Sequence, residues 1–236
     1  LSSEHAPHSQ LSLLRTSKRS HSFTKEIPSM KNPLHYQLSE YDCGPTSMLN
    51  AISFLFEREE IPPEVIRNIM LYSLDCYNSE GIQGKSGTSC AAMTFLTNWL
   101  NSLNKIGRLP VSAQHLTAEQ VYLGDGSRLN HALACGGAVI VRLYFDEPHY
   151  ILLTGQDGEN ILAFDPYYVE KPFDFAPDIQ LRSDHLKQYN RIVPSHYFNC
   201  EGTTIYALGP TAEREAVILY NTATRLTEEK TIEYFI

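Results

Sequence analysis

One cysteine in this sequence stands in a setting that a thiolate nucleophile requires, although a cysteine at a helix start is more often a small packing residue. Cys43 lies between Asp42 and the pair Gly44-Pro45, directly before the apolar run T-S-M-L-N-A-I-S-F-L-F. This order predicts a helix that begins at the cysteine, where unpaired N–H groups and the helix dipole favour a thiolate. The small Gly44 leaves the sulfur open to a substrate. The setting favours attack by a thiolate on a carbonyl carbon.

A thiol nucleophile also needs a base and a group that orients the base. His149 opens the apolar segment 149–155, and among the nine histidines it is the best placed on a rigid element. Asp165 ends the next apolar segment, 160–165, and the turn signal Asp157-Gly158 between them predicts an antiparallel hairpin. The start of the first strand then lies beside the end of the second. We therefore expect His149 and Asp165 to lie within hydrogen-bonding reach.

Gln37 stands six residues before Cys43 and completes the candidate set. Its carboxamide would supply one donor to an oxyanion, beside the backbone N–H of Cys43. Taken singly, the four residues also fit ordinary roles: a small buried thiol, a solvent-facing histidine, an Asp-Pro turn and a surface amide. A three-ligand metal site made of Cys43, His149 and Asp165 is a remote alternative, because the close ligand pairs of zinc sites are missing. We expect no metal and no cofactor.

The elements that must position these residues are helices first and strands afterwards. The first helix starts at Cys43, the second near Pro63, and the third follows a glycine-rich loop, 81–89, with Thr88 or Ser89 as its cap. Strands are predicted from alternating, β-branched or aromatic runs at 138–145, 149–155, 160–165, 203–208 and 215–220. Such segregation predicts an α+β fold with an antiparallel sheet.

Composition limits the organisation and the partners of the chain. Its 236 residues, 42% hydrophobic and 19% charged, suit one domain, which we place at 33–220 between a basic, flexible arm (1–32) and a tail (221–236). A net charge of −8 disfavours nucleic acid as a partner, and no apolar run reaches the roughly 20 residues of a membrane span. Five widely spaced cysteines without a C-x-x-C pair suit a reducing compartment, so we expect a soluble, cytoplasmic protein.

Together these motifs resemble those of the C39-type, papain-like cysteine peptidases. The likeness covers about residues 33–168 and rests on Gln37-x5-Cys43, the string D-C-G-P-T-S, the G-T-S helix start at 87–89 and His149-x15-Asp165-Pro166. The sequence around Cys43 resembles the free-standing branch of this family more closely than the peptidase domains that are part of transporters. The resemblance implies a papain-like fold. It makes Cys43 the nucleophile, His149 the general base and acid, Asp165 its orienter and Gln37 an oxyanion donor.

Together these expectations predict a cysteine peptidase that hydrolyses a peptide bond in a peptide or protein substrate. An acyltransferase with the same triad is the first alternative, because an amine can replace water as the acceptor. A non-catalytic binding module that keeps the fold is the second.

Overall fold

An antiparallel sheet of seven strands forms the centre of the fold in this computed structural model, which describes residues 31–224. Residues 1–30 and 225–236, which hold most of the predicted arm and tail, lie outside the described residues. Four α-helices accompany the sheet within the described range. The helices are α1 (Cys43–Leu55), α2 (Pro63–Ser73), α3 (Cys90–Lys105) and α4 (Arg128–Ala134). The strands are β1 (Val111–Thr117), β2 (Ala138–Phe145), β3 (Glu147–Asp157), β4 (Asn160–Phe164), β5 (Gln180–Leu181), β6 (Arg191–Pro194) and β7 (Glu215–Asn221).

The strands of the sheet lie in the order β1-β7-β2-β3-β4-β6-β5. Apolar side chains cover both faces of the sheet. Helices α1, α2 and α3 pack on one face, where α1 buries residues four apart such as Met48 and Ile52. Helix α4 and the long connection after β4 cover the other face. The mixed α+β architecture is therefore confirmed, and none of the helices in the described part is long and apolar enough to cross a membrane.

The hairpin that carries two candidate residues forms at the predicted place. Strands β3 and β4 are joined at Gly158, whose φ of 58° lies in the left-handed region that a tight turn requires. Leu152 pairs with Phe164, so the start of β3 lies beside the residues that follow β4. A register shift between Leu153 and Gly155 bends the hairpin between its turn and the site.

The sheet differs from the sequence-based expectation in strands β1, β5 and β6, which no sequence pattern predicts, and in the segment 203–208. Strand β1 was not predicted, because its polar run V-S-A-Q-H-L-T becomes a strand only by pairing with β7, about a hundred residues later. The predicted strand 203–208 is wrong, since Tyr206 has a φ of 59° and turns the chain there. That turn still docks on the end of β2, where Tyr206 N donates to the Tyr144 carbonyl at 2.8 Å.

Candidate active site

Cys43 is the first residue of α1, which is held by one contact with the sheet and one with the segment before α3. The Ser47 hydroxyl, one turn later, donates to the Tyr150 carbonyl at 2.9 Å, which fixes α1 against the strand that carries His149. On the other side Gly44 meets Thr88 so closely that a Cβ on residue 44 would overlap the Thr88 side chain. The glycine is therefore required by close approach, which brings the cap of α3 beside the cysteine.

His149 and Asp165 lie together as the strand spacing predicts. His149 Nε2 is 2.8 Å from Asp165 Oδ1, Asp165 is fully buried, and the imidazole is almost so. Because Nε2 faces the carboxylate, Nδ1 is the ring nitrogen left for Cys43, which contributes to the raised pKa of His149. The rings of Phe145 and Tyr167 flank the imidazole with centroids 5.9 and 6.4 Å away.

Charge determines the protonation of this pair. Burial alone lowers the pKa of His149, but the Asp165 charge and hydrogen bond, with a smaller contribution from Cys43, outweigh it and raise that pKa to about 10. Burial has the opposite effect on Asp165 and raises its pKa. The facing imidazolium and the Arg191 charge outweigh burial and lower the pKa of Asp165 below its usual value. The balance of these effects favours the imidazolium form of His149, which faces the Asp165 carboxylate.

Asp165 is held by three further donors. Tyr167 N donates to Oδ1 and the Tyr206 hydroxyl to Oδ2, each at 2.8 Å. The side chain of Asn190 brackets the backbone, accepting from Asp165 N and donating to its carbonyl at 2.8 Å each. The carboxylate therefore has one orientation, with one lone pair directed at His149.

Sequence reasoning missed Tyr206, Asn190 and Arg191. Each follows Asp165 by 25 to 41 residues and is brought to it only by the sheet and the turn after β6. Arg191 is buried beside the carboxylate and donates to the carbonyls of Asn190 and Tyr167 at 3.0 Å. The one sequence signal was the fully polar Asn190-Arg191 pair just before the apolar Ile192-Val193, where a buried strand begins.

Gln37 reaches the site through its backbone. Its N–H donates to the Pro166 carbonyl at 2.9 Å, directly after Asp165, while its carboxamide donates to the Ser39 carbonyl at 2.8 Å. Its Oε1 is buried and has no hydrogen-bond partner among the described residues. Asp42 accepts from Leu38 N and Ser39 N and so fixes this turn ahead of the cysteine. In this conformation the Ser39 carbonyl accepts one amide hydrogen of Gln37, and Gln37 is not among the residues that line the cleft at Cys43.

Cys43 opens into a cleft of about 910 Å³. Its walls come from the turn before α1, the Ser86–Cys90 segment, the facing ends of β2 and β3, and the segment that leads into β7. Four acidic and two basic residues line it: Glu40, Glu147, Glu213, Glu215, Arg142 and Arg214. A cleft of this volume lies within the range of ligand-binding clefts in proteins.

A second group of cysteine, histidine and carboxylate borders the same cleft. Cys90 Sγ lies 3.8 Å from His115 Nε2, and the same nitrogen lies 3.0 Å from Glu215 Oε1. A proton relay needs one ring nitrogen for the thiol and the other for the carboxylate. Both contacts here use Nε2, so this group lacks the arrangement found at Cys43, His149 and Asp165.

Comparison of the chain with protein-family models and with curated proteins finds no match. The assignment of a function therefore depends on the chemistry of the site.

Proposed function

We propose that the chain is a cysteine peptidase of the C39-like, papain-fold type, with Cys43 as nucleophile and His149 and Asp165 as its partners. The observation that carries the proposal is the 2.8 Å contact from a buried Asp165 to His149 Nε2, which leaves Nδ1 to Cys43. The support for a papain-like fold is topological: the nucleophile begins a helix that packs on an antiparallel sheet, and the base lies on the facing strand.

The chemistry follows from the protonation of the pair. The Cys43 thiolate attacks a peptide carbonyl carbon, and the oxyanion is met by the N–H of Cys43, which has no partner within its own helix, and by the carboxamide of Gln37. The His149 imidazolium then gives its proton to the leaving amine, so the C–N bond breaks and a thioester remains. Neutral His149 next takes a proton from water, whose oxygen attacks the thioester and releases the acid and the thiolate.

The first test is the pH dependence of alkylation by iodoacetamide, followed residue by residue with mass spectrometry. An unperturbed thiol titrates near 8.5, whereas a thiolate paired with an imidazolium reacts well below pH 7. We expect selective labelling of Cys43 at about pH 6, and the loss of that labelling in His149→Ala. The exposed Cys200 is the control thiol in the same sample.

The second test decides between the reactions. Incubation with a peptide mixture, with and without added amines, should yield new carboxyl termini that are absent with Cys43→Ala. Products that carry the amine instead would assign acyl transfer. An ordinary titration curve for Cys43, unchanged in His149→Ala, would contradict the enzyme proposal and favour a binding module.

A further inference from the structure

We infer that Cys90, His115 and Glu215 form a binding site for a divalent transition-metal ion of the zinc type, on the wall of the cleft that holds Cys43. One ligand atom from each residue lies within 4.8 Å of the other two. The key contacts are 3.8 Å from Cys90 Sγ to His115 Nε2 and 3.0 Å from that nitrogen to Glu215 Oε1. Tetrahedral zinc with bonds of roughly 2.0–2.3 Å separates its ligand atoms by about 3.3–3.6 Å. Small side-chain adjustments therefore bring all three atoms onto one ion.

The histidine ring is held so that one nitrogen faces the other two ligand atoms. The Thr94 hydroxyl, which donates to the Cys90 carbonyl at 2.9 Å, lies 3.2 Å from His115 Nδ1. Nε2 is the nitrogen that faces both Cys90 Sγ and Glu215 Oε1. In the neutral tautomer with its proton on Nδ1, the lone pair of Nε2 is directed at these two groups, as a metal ligand requires.

The donor set selects the kind of ion. A thiolate, an imidazole nitrogen and a carboxylate suit a borderline-soft ion such as Zn²⁺, and disfavour Mg²⁺ and Ca²⁺, which require oxygen ligands. Two further contacts orient the ligands. The Tyr150 hydroxyl donates to Glu215 Oε2 at 3.0 Å, and Thr94 holds the histidine ring. Such outer contacts are typical of built metal sites.

The fold places the cluster at the open end of a core face. His115 and Glu215 extend from neighbouring strands β1 and β7, on the face that buries Ala113 and Val217, and Cys90 begins α3 opposite them. Cys90 and Glu215 both line the cleft, so a fourth coordination position is open to it. An ion there binds water or a substrate oxygen. This site does not depend on the proposed peptidase activity.

The test uses Co²⁺ as a spectroscopic probe of the full chain, with Zn²⁺ as competitor. The background is Cys43→Ser, so that the thiolate of the proposed nucleophile cannot bind the ion. We expect one equivalent of Co²⁺ with a thiolate-to-metal charge-transfer band and the intense visible bands of tetrahedral cobalt, removed by one equivalent of Zn²⁺. Adding Cys90→Ser should abolish the charge-transfer band. Glu215→Gln removes a charged ligand and should weaken Co²⁺ binding by more than the roughly 100-fold upper range for loss of an outer contact.

Two further variants make the result decisive. Cys76→Ser is the matched control, since this half-buried thiol lines the same cleft outside the cluster, and it should leave the spectrum unchanged. Thr94→Val keeps every ligand and should weaken binding by about 10–100-fold. No charge-transfer band in the Cys43→Ser chain, or a band that survives Cys90→Ser, would overturn the proposal.

Discussion

His149 Nε2 lies 2.8 Å from Asp165 Oδ1, and Arg191 lies behind the aspartate, so a buried carboxylate stands between two cationic groups. A buried charge that loses one partner costs about 3–5 kcal/mol, which makes such a pair sensitive to any change in charge. The protonation of His149, the free energy of unfolding and the reactivity of Cys43 therefore all depend on this pair, and each can be measured separately.

Asp165→Asn keeps the volume of the side chain and removes its charge. We expect kcat/KM to fall by about 10²–10⁴-fold, because His149 loses both its orientation and its positive charge at neutral pH. Alkylation of Cys43 at pH 6 should fall in parallel. Steady-state kinetics and alkylation rates measure the two effects, and wild-type values for both would contradict the role given to Asp165.

Cys43→Ser tests the nucleophile itself. A serine hydroxyl is not ionised by the neighbouring imidazolium, so peptide cleavage should fall below detection while the circular dichroism spectrum stays native. Cys200→Ser is the matched variant on an exposed thiol and should retain full activity. Residual cleavage by Cys43→Ser would assign the activity to another residue.

Tyr206→Phe removes the hydroxyl that donates to Asp165 Oδ2 at 2.8 Å. Because the carboxylate is buried, losing this donor should lower the free energy of unfolding by about 1–3 kcal/mol. It should also reduce kcat with little effect on KM, since the tyrosine acts through Asp165. Tyr197→Phe removes a hydroxyl bonded to the more exposed Asp178 and should change neither. Equal effects of the two substitutions would refute the positioning role.

Ser47→Ala tests how α1 is held against the strand of His149. Loss of the hydrogen bond to the Tyr150 carbonyl should cost about 1 kcal/mol in the free energy of unfolding and let Cys43 move relative to the imidazole. The rate of Cys43 alkylation at pH 6 should therefore fall, and by more than the small loss of folded protein from the lower stability would explain. Ser102→Ala, which removes an exposed hydroxyl of α3, is the control. A labelling rate equal to that of the control would show that this contact does not position Cys43.

The raised pKa of His149 fixes the direction of a pH effect on stability. The folded-state pKa of about 10 lies above the ordinary value of 6.5, so the protonated histidine stabilises the fold fully below pH 6.5. That contribution is lost as pH rises from 6.5 through about 10. Urea unfolding of the wild type and of Asp165→Asn should give a difference in free energy that shrinks over this range. A difference that grows with pH would show that His149 is neutral in the folded state.

Local sequence determined the part of the site that lies within one helix start and one hairpin. Cys43 is placed by the Gly-Pro helix start, and His149 and Asp165 are brought together by a turn of short sequence separation, so spacing alone predicts their contact. The catalytic roles of these residues, including Gln37, stay predictions. Ser89 was one of the two residues predicted to cap α3, and it is the cap, accepting from Ala92 N at 3.1 Å.

Tertiary structure alone decided what surrounds this pair. Tyr206 reaches Asp165 from 41 residues away through a left-handed turn, which its β-prone neighbours do not indicate. His115 and Glu215 are 100 residues apart and meet only because β1 pairs with β7. Such contacts depend on strand pairing between segments that are far apart in the sequence. The register of that pairing is set by the burial of both sheet faces, so the pattern within one segment does not predict which residue of the other it will face.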